Sequence, residues 1–396
     1  MKQKILLILI LLVLAALAVV FILPYFSQVE LPEANFSSLG SEMVRARVVE
    51  IIEDGEIDLG GFVQRYQVAR IEIREGEYQG ILMEIDYGKR QVLSGNIYLQ
   101  PGDDILVTMG KRPDGVITAY FAEFVRTPLL LWLFATFVVA IVLISSWKGL
   151  RSLISMAFSL FVIIAYIIPH ILAGEDPVRV SIIGSAILLG VTLYLTYGWN
   201  LKTHAAVSSM VLVLIITGTL AWVFVVFTRL TGAGDEDTLF LMQMLDSRIN
   251  LRGLLLGGMI IGALGVLDDL VTTQASATFE LWHANPELGF RSLYQAAMRI
   301  GQDHVAATVN TLVLAYAGAS LPMLLMFSLA RGNYGSLLNF SFVAEEVVRT
   351  LVGSLGLVAA VPLTTVIAAG LALYRHHLGR LEQFLGPEGG GHSHGT

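Results

Sequence analysis

The chain breaks about eight times into stretches of roughly 20 predominantly apolar residues, the length an α-helix needs to cross the about 30 Å hydrocarbon core of a bilayer. They lie near Ile5–Leu23, Pro128–Ser146, Leu153–Leu172, Val180–Tyr197, Ala205–Phe227, Leu254–Ala277, Val305–Leu329 and Leu351–Tyr374. No water reaches backbone amides at that depth, so a single such stretch satisfies its own hydrogen bonds only as a helix. A polytopic, mainly α-helical membrane protein follows, with the lipid bilayer as its first partner. Composition agrees, since 55% of the residues are hydrophobic and only 14% charged. The absence of cysteine removes disulfides and thiolate chemistry. A net charge of -7 without a Lys/Arg stripe sets nucleic acid aside.

Lys2 and Lys4 precede the first stretch and no Ala-x-Ala cleavage site comes before Pro24, so residues 1–27 read as an uncleaved transmembrane anchor. Lys/Arg in short loops mark the cytoplasmic side of a cell membrane: Lys2, Lys4, Lys148, Arg151, Lys202, Arg375 and Arg380 fall together, with both termini inside. Residues 28–126 are then extracytoplasmic. They alternate polar and apolar positions with a period of two over Ala46–Ile51, Tyr66–Ile73, Ile81–Ile85 and Ile105–Val107. Turn signals at Gly102-Asp103 and Asp114-Gly115 help divide about five strands, which suit a small all-β, OB-like barrel. Tyr66, Tyr78, Tyr87 and Tyr98 fit strand packing better than a ligand face. Residues 127–375 form the multi-helix membrane domain. Residues 376–396 form a glycine- and histidine-rich tail expected to be disordered, with no metal role for His376, His377, His392 or His394.

Within the membrane domain Asp268 and Asp269 interrupt an apolar run. A carboxylate at that depth costs about 2.5–3.5 kcal/mol on insertion scales, which makes it a functional candidate unless it sits at a helix end within reach of water. Counting by three and four, Gly258, Gly262, Gly265, Asp269, Thr272/Thr273, Ser276 and Glu280 share one face, which is expected to meet protein. Asp268, about 100° around the helix, lies off it. A second cluster opens the next stretch: Arg299, Asp303, His304, Thr308, Asn310 and Thr311. Gly301 and Gly318 are candidate close-packing positions there, and two small-residue seams suit one paired-helix site or a homo-oligomer. The alternative is an Arg299–Asp303 helix-end ion pair, with Asn310 and Thr311 as interhelical glue.

Enzyme chemistry lacks support. An Asp-Asp-x-x-Asp magnesium motif fails at Thr272, and no Walker loop, Gly-x-Ser-x-Gly or His-Glu-x-x-His occurs. No cofactor or metal is implied.

Gly262-Ala263-Leu264-Gly265 through Asp269, then Gly301-Gln302-Asp303, Thr308, Asn310-Thr311 and Leu314-Ala315-Tyr316, resemble the YibE/F family of bacterial multi-pass membrane proteins over about Pro128–Tyr374. The resemblance implies an anchor, an exported β segment and a helical bundle, with Asp269, Asp303, Asn310 and Thr311 at motif positions. It supplies no biochemical activity, and Asp268 departs from a pattern that is apolar there. The residues themselves point to a carrier or channel binding a proton or cation at Asp269, Asp303, Asn310 and Thr311, with Asp268, Thr272, Thr273 and Glu280 nearby. The other reading is a membrane scaffold or assembly factor that presents the β domain to a membrane protein partner.

Overall fold

A computed structural model describes residues 43–90, 92–93, 97–111, 117–234, 236–244, 249–329 and 334–374. The anchor at 1–27, the tail at 376–396 and the Asp114-Gly115 turn lie outside the described residues. Those described fall into two compact units: the strands with the start of the first helix, up to Leu143, and the helices from Ile144 onward.

The first unit contains β1 (Met43–Asp58), β2 (Val63–Ile73), β3 (Leu82–Tyr87), β4 (Asp104–Lys111) and β5 (Ile117–Phe124). They form one antiparallel sheet in the order β3-β2-β1-β4-β5. The sheet nearly closes on itself, because Tyr87 of β3 meets Phe121 of β5 edge to face at 4.7 Å. Period-two alternation sends Val44, Ala46, Val48, Ala69, Ile71, Ile73, Ile105 and Val107 inward. Bulges in β1 between Val48 and Glu50 and between Ile51 and Glu53 bend the long β1–β2 hairpin. Gly102, at φ 99°, makes the turn into β4. Buried Gln67 accepts from Leu99 N at 2.8 Å, tying the segment before β4 to β2. Three of the tyrosines have defined polar or charged contacts: Tyr66 donates to Glu53, Tyr87 donates to Ile97 O, and Arg65 lies over Tyr98. Tyr78 packs on the core.

The outer face is laced with ion pairs, among them Arg47–Asp104, Arg65–Asp54, Arg70–Glu50 and Lys89–Glu53. The Lys89 ammonium, and after it the Tyr66 hydroxyl, hold the Glu53 carboxyl below its ordinary 4.5, and the Arg65 guanidinium holds Asp54 below 3.8. A carboxylate depressed in the folded state stabilises it above the unfolded pKa, and that support is lost as pH falls through the folded value. Resistance of this domain to denaturant should therefore decline below about pH 5. In a Glu53→Gln/Asp54→Asn variant the decline should be shallower, as read by tyrosine fluorescence or hydrogen exchange across pH 2–6.

The helical run after β5 comprises α1 (Thr127–Val162), a π-helical turn (Ile163–Ile167) and α2 (Ile168–Leu172). Straight, its 46 residues would measure about 69 Å at 1.5 Å per residue, more than twice the hydrocarbon thickness. Ser146 breaks it with non-helical φ 48°, ψ -129°, just ahead of Lys148 and Arg151. The expected spans 128–146 and 153–172 lie on either side of this break. There follow α3 (Pro177–Tyr197), α4 (Leu201–Phe227), α5 (Glu236–Met244), α6 (Leu251–Ala284), α7 (Phe290–Ala319), α8 (Leu321–Leu329), α9 (Tyr334–Leu337) and α10 (Ser341–Tyr374). Asp176, Asn200 and Asn250 cap α3, α4 and α6, each accepting a backbone N–H in the first turn.

Five helices among the described residues are long and apolar enough to cross a membrane: Thr127–Leu172, α3, α4, α6 and α10. The expected span 305–329 is instead divided between α7 and α8, which break at Ser320 ahead of Pro322. In the bundle α10 packs on α4, α6 and α7, and α6 also packs on α3 and α4. Leu267, Val271, Phe279, Leu357, Val361 and Ala368 lie in the shared core. Close approach is made at Gly184, Gly257, Gly301 and Gly356. An added Cβ at these positions would strike Ile167, Ser181, Val361 and Thr217 respectively. Trp132, Ile144 and Phe227 are among the large apolar side chains left exposed, as lipid contact requires.

Candidate functional site

The middle of α6 carries both carboxylates, and its inward face decides how they are presented. Leu264, Leu267, Leu270, Val271, Gln274 and Thr278 are buried toward the bundle. Gly258, Gly262, Gly265, Asp269 and Thr273 therefore face outward. An added Cβ at Gly258, Gly262, Gly265 or Gly318 would meet nothing within 4 Å. The expectation that this stripe meets protein is not met within the described residues of one chain, because the longer apolar side chains take the packed face. Of the expected packing glycines, Gly301 alone makes a close approach.

Asp268 is the more enclosed of the pair. Its residue is half-buried, and its Oδ1 is buried with no hydrogen-bond partner among the described residues. Buried Thr272 sits one turn on. Its hydroxyl lies 2.8 Å from Asp268 O, 3.1 Å from Asp269 O and 3.4 Å from the Tyr197 hydroxyl at the end of α3. Asp269 is exposed and accepts from the Thr273 hydroxyl at 3.4 Å. Glu280 is also exposed, and Lys202 at the start of α4 donates to it at 2.5 Å.

Among the described residues no hydrogen bond or ion pair ties the residues expected on α7 to this cluster. Asp303, Asn310 and Thr311 are all exposed, and Thr311 donates back to Ala307 O in its own helix. Among the described residues no ion pair joins Arg299 to Asp303, and no group of three or more His, Asp or Glu is placed to hold a metal ion.

A polar node does link α6, α7 and α10, at Gln274. This side chain is 1% exposed and donates to Ala297 O at 3.0 Å and to the Thr365 hydroxyl at 2.7 Å. Gly301 leaves the room it occupies. Tyr197, Gln274 and Thr365 are thus positions that the carboxylate pattern does not single out. The signal for Gln274 is its place on the face of Leu267, Leu270 and Val271, where an amide persists only if another helix answers it.

The family described as YibE/F-like protein matches residues 133–373, well over half of the chain. The chain belongs to this family. The YibE/F-like stretch contains the whole of the Asp268–Tyr197 cluster, the Gln274 node and the exposed polar face of α7, while all five strands precede it. Together with the five apolar helices, the YibE/F match makes this a multi-pass membrane protein. Comparisons with curated proteins and with solved structures find no match to the chain.

Proposed function

We propose that this protein is a carrier or channel for a proton or small cation in a bacterial cytoplasmic membrane, with about eight spans, both termini inside and an OB-like domain outside. Asp268 is the group that takes the ion, and Asp269 raises the local negative potential beside it. The observation that carries this reading is the buried, unpartnered Oδ1 of Asp268 within a membrane-type helix. An enclosed carboxylate oxygen without a partner is costly, and a proton or cation removes that cost. The hydroxyls of Thr272 and Tyr197 supply further oxygens close by. No catalytic step is assigned.

The exposed positions of Asp269, Asp303, Asn310 and Thr311 favour a second reading. Polar side chains on the outer faces of two bundle helices suit association with another copy or another membrane protein, as a scaffold or assembly factor would require.

Purified protein in liposomes under imposed proton, sodium or potassium gradients separates the two, with ion-sensitive dyes inside to register electroneutral exchange as well as current. Wild type should carry flux, and Asp268→Asn should lower it at least tenfold, about 1.4 kcal/mol or more. Folded, inserted wild type that carries no flux under any gradient overturns the carrier reading. Loss of cellular function on deleting residues 28–126, with Asp268→Asn fully active, would then support the scaffold.

A further inference from the structure

A cavity of about 740 Å³ opens between α3, α4 and α6, and neither Asp268 nor Asp269 lines it. We propose that it holds one glycerophospholipid with an ethanolamine head group, drawn from the leaflet at the end of the bundle where α3 and α6 begin. The walls are hydrocarbon, from Ile182, Leu189, Leu214, Ile215, Trp222 and Ile260. The volume lies within the about 300–1,000 Å³ of small-molecule sites. An acyl chain of the lipid lies along these side chains, with the rest of the molecule at the mouth and in the bilayer.

The mouth selects the head. Asp176, Asn250 and Arg252 line that end. Arg252 Nε donates to Leu230 O at 3.0 Å, which fixes the guanidinium there and leaves its other N–H groups for a phosphate. The N-termini of α3 and α6 add their positive ends to the same place. Asp176 spends Oδ1 on Arg179 N at 2.9 Å, and its second oxygen offers an acceptor to a primary ammonium. One cation and one anion at a single mouth match a zwitterionic head. A choline head lacks the N–H to donate, and a glycerol head lacks the charge.

Ser185 supplies an independent indication. It lines the cavity and is 3% exposed, yet its Oγ has no hydrogen-bond partner among the described residues. An ester carbonyl is the acceptor this hydroxyl lacks, whereas a purely hydrocarbon occupant would leave it unsatisfied.

The test uses the delipidated full-length protein in detergent, titrated with phosphatidylethanolamine, phosphatidylcholine or phosphatidylglycerol of identical chains and read by native mass spectrometry. Phosphatidylethanolamine should bind about tenfold more tightly than either of the others, the size of one charge-assisted hydrogen bond. Arg252→Gln should weaken it at least tenfold. Asp176→Asn preserves the helix cap and should erase the preference over phosphatidylglycerol. Gly218→Leu should weaken all three lipids by filling the cavity that Gly218 lines, its Cβ making an ordinary contact with Ile260 Cγ1 at 3.9 Å, with an unchanged thermal midpoint in detergent showing that the bundle is intact. Equal affinity for the three lipids, or wild-type affinity in Arg252→Gln and Gly218→Leu, overturns the proposal. So does a photo-crosslinker at Ile215 that captures residues 5–23 or a second copy in place of lipid. Because binding is read without flux, the outcome is separate from that of the carrier reading.

Discussion

Gly301→Val is expected to separate α7 from the bundle and lower stability by about 3 kcal/mol or more, the upper range for overpacking a filled core. An added Cβ alone would strike Val361 Cγ1 and come within 2.7 Å of Gln274 Oε1. Both neighbours are held. Val361 is 2% exposed within the core, and Gln274 is fixed by its bonds to Ala297 O and the Thr365 hydroxyl. Relief therefore requires α7 to retreat from α6 and α10 together, which also breaks the Gln274–Ala297 bond. In a bilayer, where apolar burial between helices adds little, close backbone approach and such bonds carry much of the association. Thermal unfolding in detergent measures the loss, with Gly258→Val as control. Gly258 has nothing within 4 Å of its added Cβ, so that change should leave the midpoint within a degree or two. Equal midpoints for the two variants would disprove the close approach at Gly301.

Ile71→Ala should destabilise the β domain by about 2–5 kcal/mol while leaving the helices intact. Ile71 is fully buried near the end of β2, flanked by β1 and β3 through Val48 and Met83. The sheet has one small core, so a cavity there has few neighbours able to close it. Hydrogen exchange on the full-length protein reads the effect strand by strand. Protection in β1, β2 and β4 should fall, and that in α4, α6 and α10 should stay at the wild-type level, because the two units have separate cores. Parallel loss in both units would contradict that separation.

The architecture was legible wherever one side-chain period dominated. Period-two alternation locates β1, β2, β3 and β4 because one face of each is wet and the other dry. Predominantly apolar runs of about 20 residues locate α3, α4, α6 and α10 because lipid on one side and the packed bundle on the other both accept apolar side chains. Where two demands compete, the pattern is ambiguous. The stretch 305–329 is apolar enough to suggest one span, but Pro322 removes a backbone donor and the helix ends before it. The site was legible only in part. Asp268 and Asp269 stand out by composition, but their difference in burial depends on which face of α6 the bundle covers. Glycines every three or four residues suggest a contact face. On α6 the leucines and Val271 fill the inside and leave that stripe outward. Gln274 looks ordinary in a polar stretch until Gly301 and Thr365 are brought to it from distant segments.

The wide turn at Ile163–Ile167 lets one long helix obey two different clocks. Ile168 N bonds back to Ile163 O, five residues away, so the ladder carries one residue more than the α pitch allows. Side chains before and after the turn are thereby out of phase by about 100°. Downstream, Ile167 is keyed onto Gly184 of α3, and Ile167, His170 and Ile171 are buried. Upstream, only Gly149, Ser155 and Val162 of α1 are buried. The azimuth of α1 is thus turned by a fixed amount from that of α2, so the contact that seats Ile167 against Gly184 is made without carrying most α1 side chains into the bundle.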